Sequence, residues 1–367
     1  LHLYWARRPL AAARAIIFAS LIDDPSNNKN YNSEKIYKER KRLFNLLQQL
    51  IKWENTNNKQ ILKEAHEEIL KSTQGIIPNF IDPFCGGGSI PIEAQRLGLN
   101  TYASDLNPLS VIITKSLVEL PLEFKGKKPI CEITNRLDFG EEGYNGIALD
   151  LQFYGEIVNN SVKELIGNYF PKSLNGNDII IWNWVRRVEC PNPGCNCRTP
   201  LLKSLELGKS VDGIVSLIPK IIFSDETPTI LFEIAYNKQK NSGNITGGNG
   251  YCLNCKQPIS RNYLCEQGEK GEIDYQLTHF ISLENGKKKF YSPNDEQINI
   301  AENVKKPNID DIDLEPGANF RVANYGYNTF SSLFTNRQLL VFETYKKVIK
   351  EIDLRIIKDG GSNEYAS

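Results

Sequence analysis

Two sets of residues in this 367-residue chain have the types and the spacing for chemistry. The first is Asp82-Pro83-Phe84-Cys85-Gly86-Gly87-Gly88-Ser89, followed 17 residues after Gly88 by Asp105. Glycines permit a tight turn and let a ligand approach without a Cβ in the way. A helix leaving such a turn points its first N–H groups at whatever the turn holds. An acid at the end of the next strand can accept hydrogen bonds from two ribose hydroxyls. The second set is two close cysteine pairs, Cys190-Pro191-Asn192-Pro193-Gly194-Cys195 and Cys252-Leu253-Asn254-Cys255. Thiolates in turns bent by Pro, Gly and Asn converge on one tetrahedral ion, which predicts a zinc site. With four sulfur ligands no position is left open for water, so this zinc is structural. Cys197 could take the place of Cys195, and Cys265 is a further alternative. Cys85 and Cys131 read as small buried residues.

The elements that must position the first set are legible around it. Phe80 to Phe84 is a short apolar strand, and Ile90, Ala94 and Leu97 share one face of the helix that follows. Gly98 stands where a helix stops, and Thr101 to Ser104 forms the second strand, ending on Asp105. Strand, glycine turn, helix and strand ending in an acid open a nucleotide-cofactor fold. The turn is not G-x-G-x-x-G. Its compactness, with Asp82 and Phe84 at the strand end, suits a cofactor without a pyrophosphate, such as S-adenosylmethionine (SAM), better than NAD. The expected cofactor-binding residues are Asp82, Phe84, Gly86, Gly88, Asp105, Leu106 and Asn107, with Leu106 either on an adenine face or in ordinary core.

Three blocks carry a family resemblance: Asp82 to Pro91, Glu93-Ala94-Gln95-Arg96-Leu97-Gly98, and Ala103-Ser104-Asp105-Leu106-Asn107-Pro108. Together they resemble the SAM-binding region of adenine-specific DNA methylases that contain a zinc ribbon. The opening Leu1-His2-Leu3-Tyr4-Trp5-Ala6-Arg7-Arg8-Pro9-Leu10-Ala11-Ala12 looks like the DUF1156-type N-terminal signature of that family. The resemblance runs the length of the chain, weakly through 26–75 and 205–320. It implies methylation of adenine N6 in double-stranded DNA, with the target base flipped into a pocket. It also implies that His2, Trp5, Arg7 and Arg8 line the cleft beside cofactor or base. In such enzymes an Asp/Asn-Pro-Pro-Tyr/Phe turn accepts hydrogen bonds from the amino group and orients it for transfer. No two prolines are adjacent in this sequence, so no catalytic residue is assigned. The family places that turn further along, and the chain reads as a piece of a longer protein: it has no methionine and ends on a cap-like Gly360-Gly361-Ser362-Asn363-Glu364.

Composition narrows the classes. There are 44 basic and 44 acidic side chains, a net charge of zero, which argues against duplex DNA binding through the whole surface. No uninterrupted apolar run approaches the roughly 18 residues of a membrane span. With Arg7, Arg8 and Arg14 spread through the first 21 residues, a secretory leader is not expected there. Five of the eight cysteines cluster, as in an intracellular metal site rather than a disulfide framework, and the expected location is cytoplasmic.

The expected fold is α/β: an incomplete Rossmann-like SAM-dependent methyltransferase core with a helical insertion and a zinc-ribbon insertion. Its parts are an N-terminal helix (1–25), a helical hairpin (26–75), the first part of the core (76–188), the ribbon (189–270), and a connection returning to the core (271–367). In the hairpin, Leu43, Leu46, Leu47 and Leu50, then Ile61, Ala65 and Ile69, have helical spacing. Its basic cluster from Lys35 to Arg42 reads as a solvated face, and His66 as exposed. A helix is expected over 156–168. Trp182 and Trp184 read as packing, on a strand or helix entering the cysteines. Ile214 to Phe223 and Thr229 to Ala235 are β-rich, and Asn241 to Gly250 is a hairpin turn. Residues 270–320 read as a surface connection, with no role for His279. A final helix is expected from Asn324 to about Lys358, burying Leu340, Phe342, Tyr345 and Ile349.

Two functions of different class fit these residues. One is a DNA adenine methyltransferase of a restriction or anti-phage defence type, acting with partner proteins. The other is a non-catalytic DNA- or protein-binding component that keeps a SAM-like core and docks through the ribbon.

Overall fold

The computed structural model describes residues 4, 8–131, 145–210, 213–224, 227–237, 242–314 and 321–366. It mixes helix and strand and separates into two compact units, Leu1–Phe153 and Tyr154–Ser367. Among the described residues no helix is long and apolar enough to cross a membrane.

The first unit begins with α1 (Leu10–Leu21), α2 (Ser33–Leu50) and α3 (Lys59–Ser72). Asn32 caps α2 by accepting from the Lys35 N–H, and Asn58 caps α3 through Gln60 and Ile61. The leucine stripe of α2 and the Ile61–Ala65–Ile69 stripe of α3 point inward. They share one core with Ile17 and Phe18 of α1 and with Ala94 and Leu97 of α4 (Ser89–Arg96). The helical hairpin therefore braces the helix that leaves the glycine turn. Arg14 and Glu93 lock the same contact as a buried ion pair at 2.5 Å, and Arg14 also donates to the Leu50 carbonyl. The basic cluster is largely an ion-paired surface, with Arg40 on Asp24, Arg42 on Glu39 and Glu68, and Lys38 on Glu34. His66 is not simply exposed. Its Nδ1 lies 2.9 Å from the Leu97 carbonyl, over Gly98, whose φ of +82° makes it the helix stop.

Strand β1 (Asn79–Asp82) pairs in parallel with β2 (Asn100–Ala103), connected through α4. Both strands start one residue before their apolar runs, and β1 ends two residues and β2 one residue sooner, where the chain leaves the pairing at Pro83 and Ser104. Helices α5 (Pro108–Val118) and α6 (Leu120–Glu123) follow. Helix α7 (Asn145–Ile166) starts earlier than expected.

In the second unit, β3 (Ile179–Glu189) and β4 (Arg198–Pro200) join β11 (Asp274–Glu284) and β12 (Lys287–Tyr291) in a sheet ordered β12-β11-β3-β4. A second sheet, β5-β6-β7, is formed by β5 (Glu206–Ser210), β6 (Gly213–Ser224) and β7 (Thr227–Asn237). A small third sheet joins β8 (Ile245–Thr246), β9 (Asn249–Tyr251) and β10 (Pro258–Ile259), with the Gly247-Gly248 turn between the first two. Helices α8 (Arg261–Glu269), α9 (Asp295–Glu302), α10 (Asn336–Lys358) and α11 (Asn363–Ala366) complete the unit.

Three expectations are corrected here. Residues 270–320 are not a surface connection throughout, since β11 is a central, largely buried strand. Its polar side chains obscured that. Gln276 donates to the Ile230 carbonyl, although its Oε1 is buried without a partner, Thr278 donates to the Asn183 carbonyl, and His279 meets Thr278. The last helix begins at Asn336, where Thr335 and Gln338 form a capping box, and not at Asn324. Phe342 and Ile349 are about half exposed, while Leu340 and Tyr345 pack with Val348 against Val158 and Val162 of α7. Trp182 and Trp184 do pack: Trp182 lies against Phe280, and the buried Arg337 guanidinium sits 4.2 and 5.6 Å from the two indole centroids.

Candidate cofactor site and metal centre

At the carboxyl ends of β1 and β2 the two turns are stitched together. The Ser104 N–H donates to the Asp82 carbonyl at 2.9 Å, and the Cys85 N–H donates to the Ser104 carbonyl at 3.0 Å. Asp105 finishes the seam. Its Oδ2 accepts from the Gly86 N–H and its Oδ1 from the Asn107 N–H, each at 2.8 Å. Those N–H donors, Asn107 first and then Gly86, hold its carboxyl below the usual carboxylate range. Asn107 in turn caps α5 by accepting from the Leu109 N–H.

The seven expected cofactor residues fall on this seam. Phe84 and Leu106 are 84% and 97% exposed, so Leu106 is no part of the ordinary core. Asp82 Oδ1 accepts from the Phe84 N–H, but Oδ2 is buried without a hydrogen-bond partner. Gly86 and Gly88 have φ of +52° and +73°. Gly88 precedes α4 as a cap without a side chain, so no side-chain cap engages the first N–H groups of that helix.

Sequence reasoning missed Tyr4 and Thr114. A Cβ on Gly87 would stand 2.5 Å from the Tyr4 Cβ, and one on Gly88 would stand 3.0 Å from Thr114 Oγ1. The glycines thus admit these two side chains against the turn. Ser110 holds Tyr4 by donating to its phenol oxygen, and Thr114 donates to the Gly86 carbonyl. No signal in the sequence joins position 4 to position 87, because the contact exists only in three dimensions. Arg8 is exposed. His2, Trp5 and Arg7 lie outside the described residues.

In the second unit the sulfurs of Cys190, Cys195, Cys252 and Cys255 all lie within 4.8 Å of one another. Four ligands tetrahedral about zinc, with Zn–S near 2.3 Å, would have sulfurs about 3.8 Å apart. Here Cys190 and Cys255 are 3.5 Å apart, and Cys195 and Cys252 are 3.9 Å apart. These are too long for disulfides, and the thiols are free. The knuckles are shaped by local chemistry. The Cys195 N–H donates to the Asn192 carbonyl, the Cys252 N–H to that of Gln257, and the Cys190 N–H to that of Cys197. Asn254 donates to the Cys195 sulfur at 3.3 Å. Cys197 is fully buried and braces the first knuckle through its backbone, while Cys265 stands outside the four. The knuckles pack on Leu217 of β6 and on Ile230 and Phe232 of β7.

Comparison with known proteins gives two matches. Residues 1–46 match a protein family of unknown function, DUF1156. Residues 56–139 match the D12 class N6 adenine-specific DNA methyltransferase. No curated protein and no solved structure matches the chain.

Proposed function

We propose that this chain, whose N-terminal region is that of an adenine methylase family with a DUF1156 N-terminus, binds SAM at the β1–β2 seam as part of an N6-adenine DNA methyltransferase. One observation carries the reading. Asp105 joins the two turns at the carboxyl ends of adjacent parallel strands, where open α/β sheets take their ligands. We read the sheet as the start of a Rossmann-like core and the cysteine knuckles with their hairpins as a zinc-ribbon insertion.

The donor set fits such a cofactor. Asp105 keeps lone pairs beyond its two backbone bonds, to accept from ribose hydroxyls. Asp82 Oδ2 is an acceptor still lacking a donor, suited to a cationic amino group. Phe84 and Leu106 supply exposed apolar faces that would shield a purine from water. When bound, SAM supplies an activated methyl group on a sulfonium. The residues of this chain bind and orient it, and no base-activating turn is assigned among them. Cys190, Cys195, Cys252 and Cys255 would hold a structural zinc that fixes the knuckles and takes no part in transfer. A cytoplasmic enzyme of restriction or anti-phage defence remains the biological setting we propose, on family type alone.

Isothermal titration of the purified protein with SAM tests the reading, alongside transfer of labelled methyl groups to adenine-containing duplex DNA. Saturable binding that Asp105→Ala abolishes is expected. Absence of SAM binding in a folded, metal-loaded protein would overturn it.

A further inference from the structure

The second unit contains a cavity of about 480 Å³ that no part of the methyl-transfer reading uses. Its walls include Trp184, Arg186, Lys203, Tyr325, Tyr327 and the Gly247-Gly248 turn. Among the described residues two cations face it and no carboxylate does, in a chain of zero net charge. Arg186 is the informative residue. It is half-buried on β3, and its guanidinium lies 4.1 Å from the centroid of the Tyr327 ring. The next residue, Arg187, pairs with Asp274 at 2.9 Å. Among the described residues neither Arg186 nor Lys203 has a carboxylate partner. A half-buried cation without counter-charge is costly unless a ligand supplies one. A planar guanidinium backed by an aromatic ring suits phosphate on its edge.

The rest of the wall limits the ligand. Trp184 and Tyr325 are partly exposed aromatics, and every nucleobase has a π-face that such rings stack on. At Gly247 the backbone is open, with nothing within 4 Å of where a Cβ would stand. The volume lies within the range of small-ligand pockets and is far too small for a duplex.

We propose that this cavity is a nucleotide pocket, holding one nucleotide unit with its phosphate on Arg186 and Lys203 and its base against Trp184 and Tyr325. The unit is either a free nucleotide or one residue of a single strand. The inference does not rest on SAM binding, since all its residues lie in the second unit.

The test uses a labelled ten-residue single-stranded oligodeoxynucleotide, read by anisotropy, with dAMP as competitor. Lys203→Glu is the main variant, because Lys203 is exposed and its replacement leaves the packing intact. We expect it to weaken the oligonucleotide roughly tenfold and to lower the salt slope by about one. Arg186→Gln should weaken binding at least as much, and Trp184→Phe should remove ligand-dependent tryptophan quenching. Competition by dAMP would identify a free nucleotide, and its failure beside tight oligonucleotide binding would identify a strand. Neither probe binding, or equal binding by Lys203→Glu, overturns the proposal even if Arg186→Gln fails to fold. SAM titration of the same samples keeps the two readings separable: Lys203→Glu should bind SAM normally, and Asp105→Ala should bind the oligonucleotide normally.

Discussion

The Gly86 N–H donates to Asp105 Oδ2 at 2.8 Å, so the acid of the second turn holds the glycine of the first. Asp105 is therefore both a brace and a ligand candidate, and the two roles can be separated. Asp105→Asn keeps the shape and one acceptor, whereas Asp105→Ala keeps neither. We expect SAM affinity to fall roughly ten- to a hundredfold in the first and beyond measurement in the second. Equal, small losses in both would assign Asp105 to bracing alone.

Gly88 and Gly126 both have positive φ, +73° and +76°, but differ in surroundings. A Cβ at Gly88 meets Thr114 Oγ1 at 3.0 Å and Thr114 Cα at 3.3 Å, whereas at Gly126 nothing lies within 4 Å. Gly126→Ala should cost only the dihedral strain, about 1 kcal/mol. Gly88→Ala should cost more, about 2–3 kcal/mol, because the backbone of α5 must give way. Calorimetric melting of the two variants decides it. Equal shifts would mean that Thr114 is not packed against the turn.

The Arg14–Glu93 pair is almost completely removed from solvent. Removing one partner leaves a buried charge, and Glu93→Leu alone should cost about 3–5 kcal/mol in denaturant unfolding. The double replacement Arg14→Met with Glu93→Leu should recover part of that, since the desolvation penalties of Arg14 and Glu93 vanish while Arg96, 3.4 Å from Glu93, still loses its carboxylate. A double variant no more stable than the single would show that the Arg14 bond to the Leu50 carbonyl outweighs the pair.

His279 gives a pH signature. Burial lowers its pKa from the ordinary 6.5 to about 4. The unfolded chain therefore takes up the proton first as pH falls, and stability contributed by the neutral ring is lost between pH 6.5 and about 4. The loss should approach ~3 kcal/mol, with none above pH 6.5. Unfolding midpoints of wild type and His279→Gln across that range should converge as pH falls. Parallel curves would place the ring in water.

Cys252→Ser removes one of the four clustered sulfurs. Bound zinc, measured by atomic absorption, should fall from about one equivalent to well below one, and the second unit should melt earlier. Cys265→Ser should leave metal content unchanged. Full zinc in Cys252→Ser would redirect the ligand set to the buried Cys197.

Much of this molecule is written locally. The glycine turn, its flanking strands, the stop at Gly98 and the hairpin caps depend on neighbours a few residues away, so residue type and spacing specify them. The cysteine set was legible for a related reason. Each knuckle is a local turn, and the structure brings the four sulfurs of the two turns within 4.8 Å of one another. The tertiary structure decided what long-range contact alone can decide. It placed Tyr4 over Gly87, paired Arg14 with Glu93, and stacked Arg186 on Tyr327. It also buried Gln276, Thr278 and His279 in a strand that reads as a polar connection. Hydrophobic periodicity reports burial only where apolar side chains do the burying. Where a polar strand is buried and bonds to distant carbonyls, as Gln276 does to Ile230 and Thr278 to Asn183, the sequence carries no periodic trace of it.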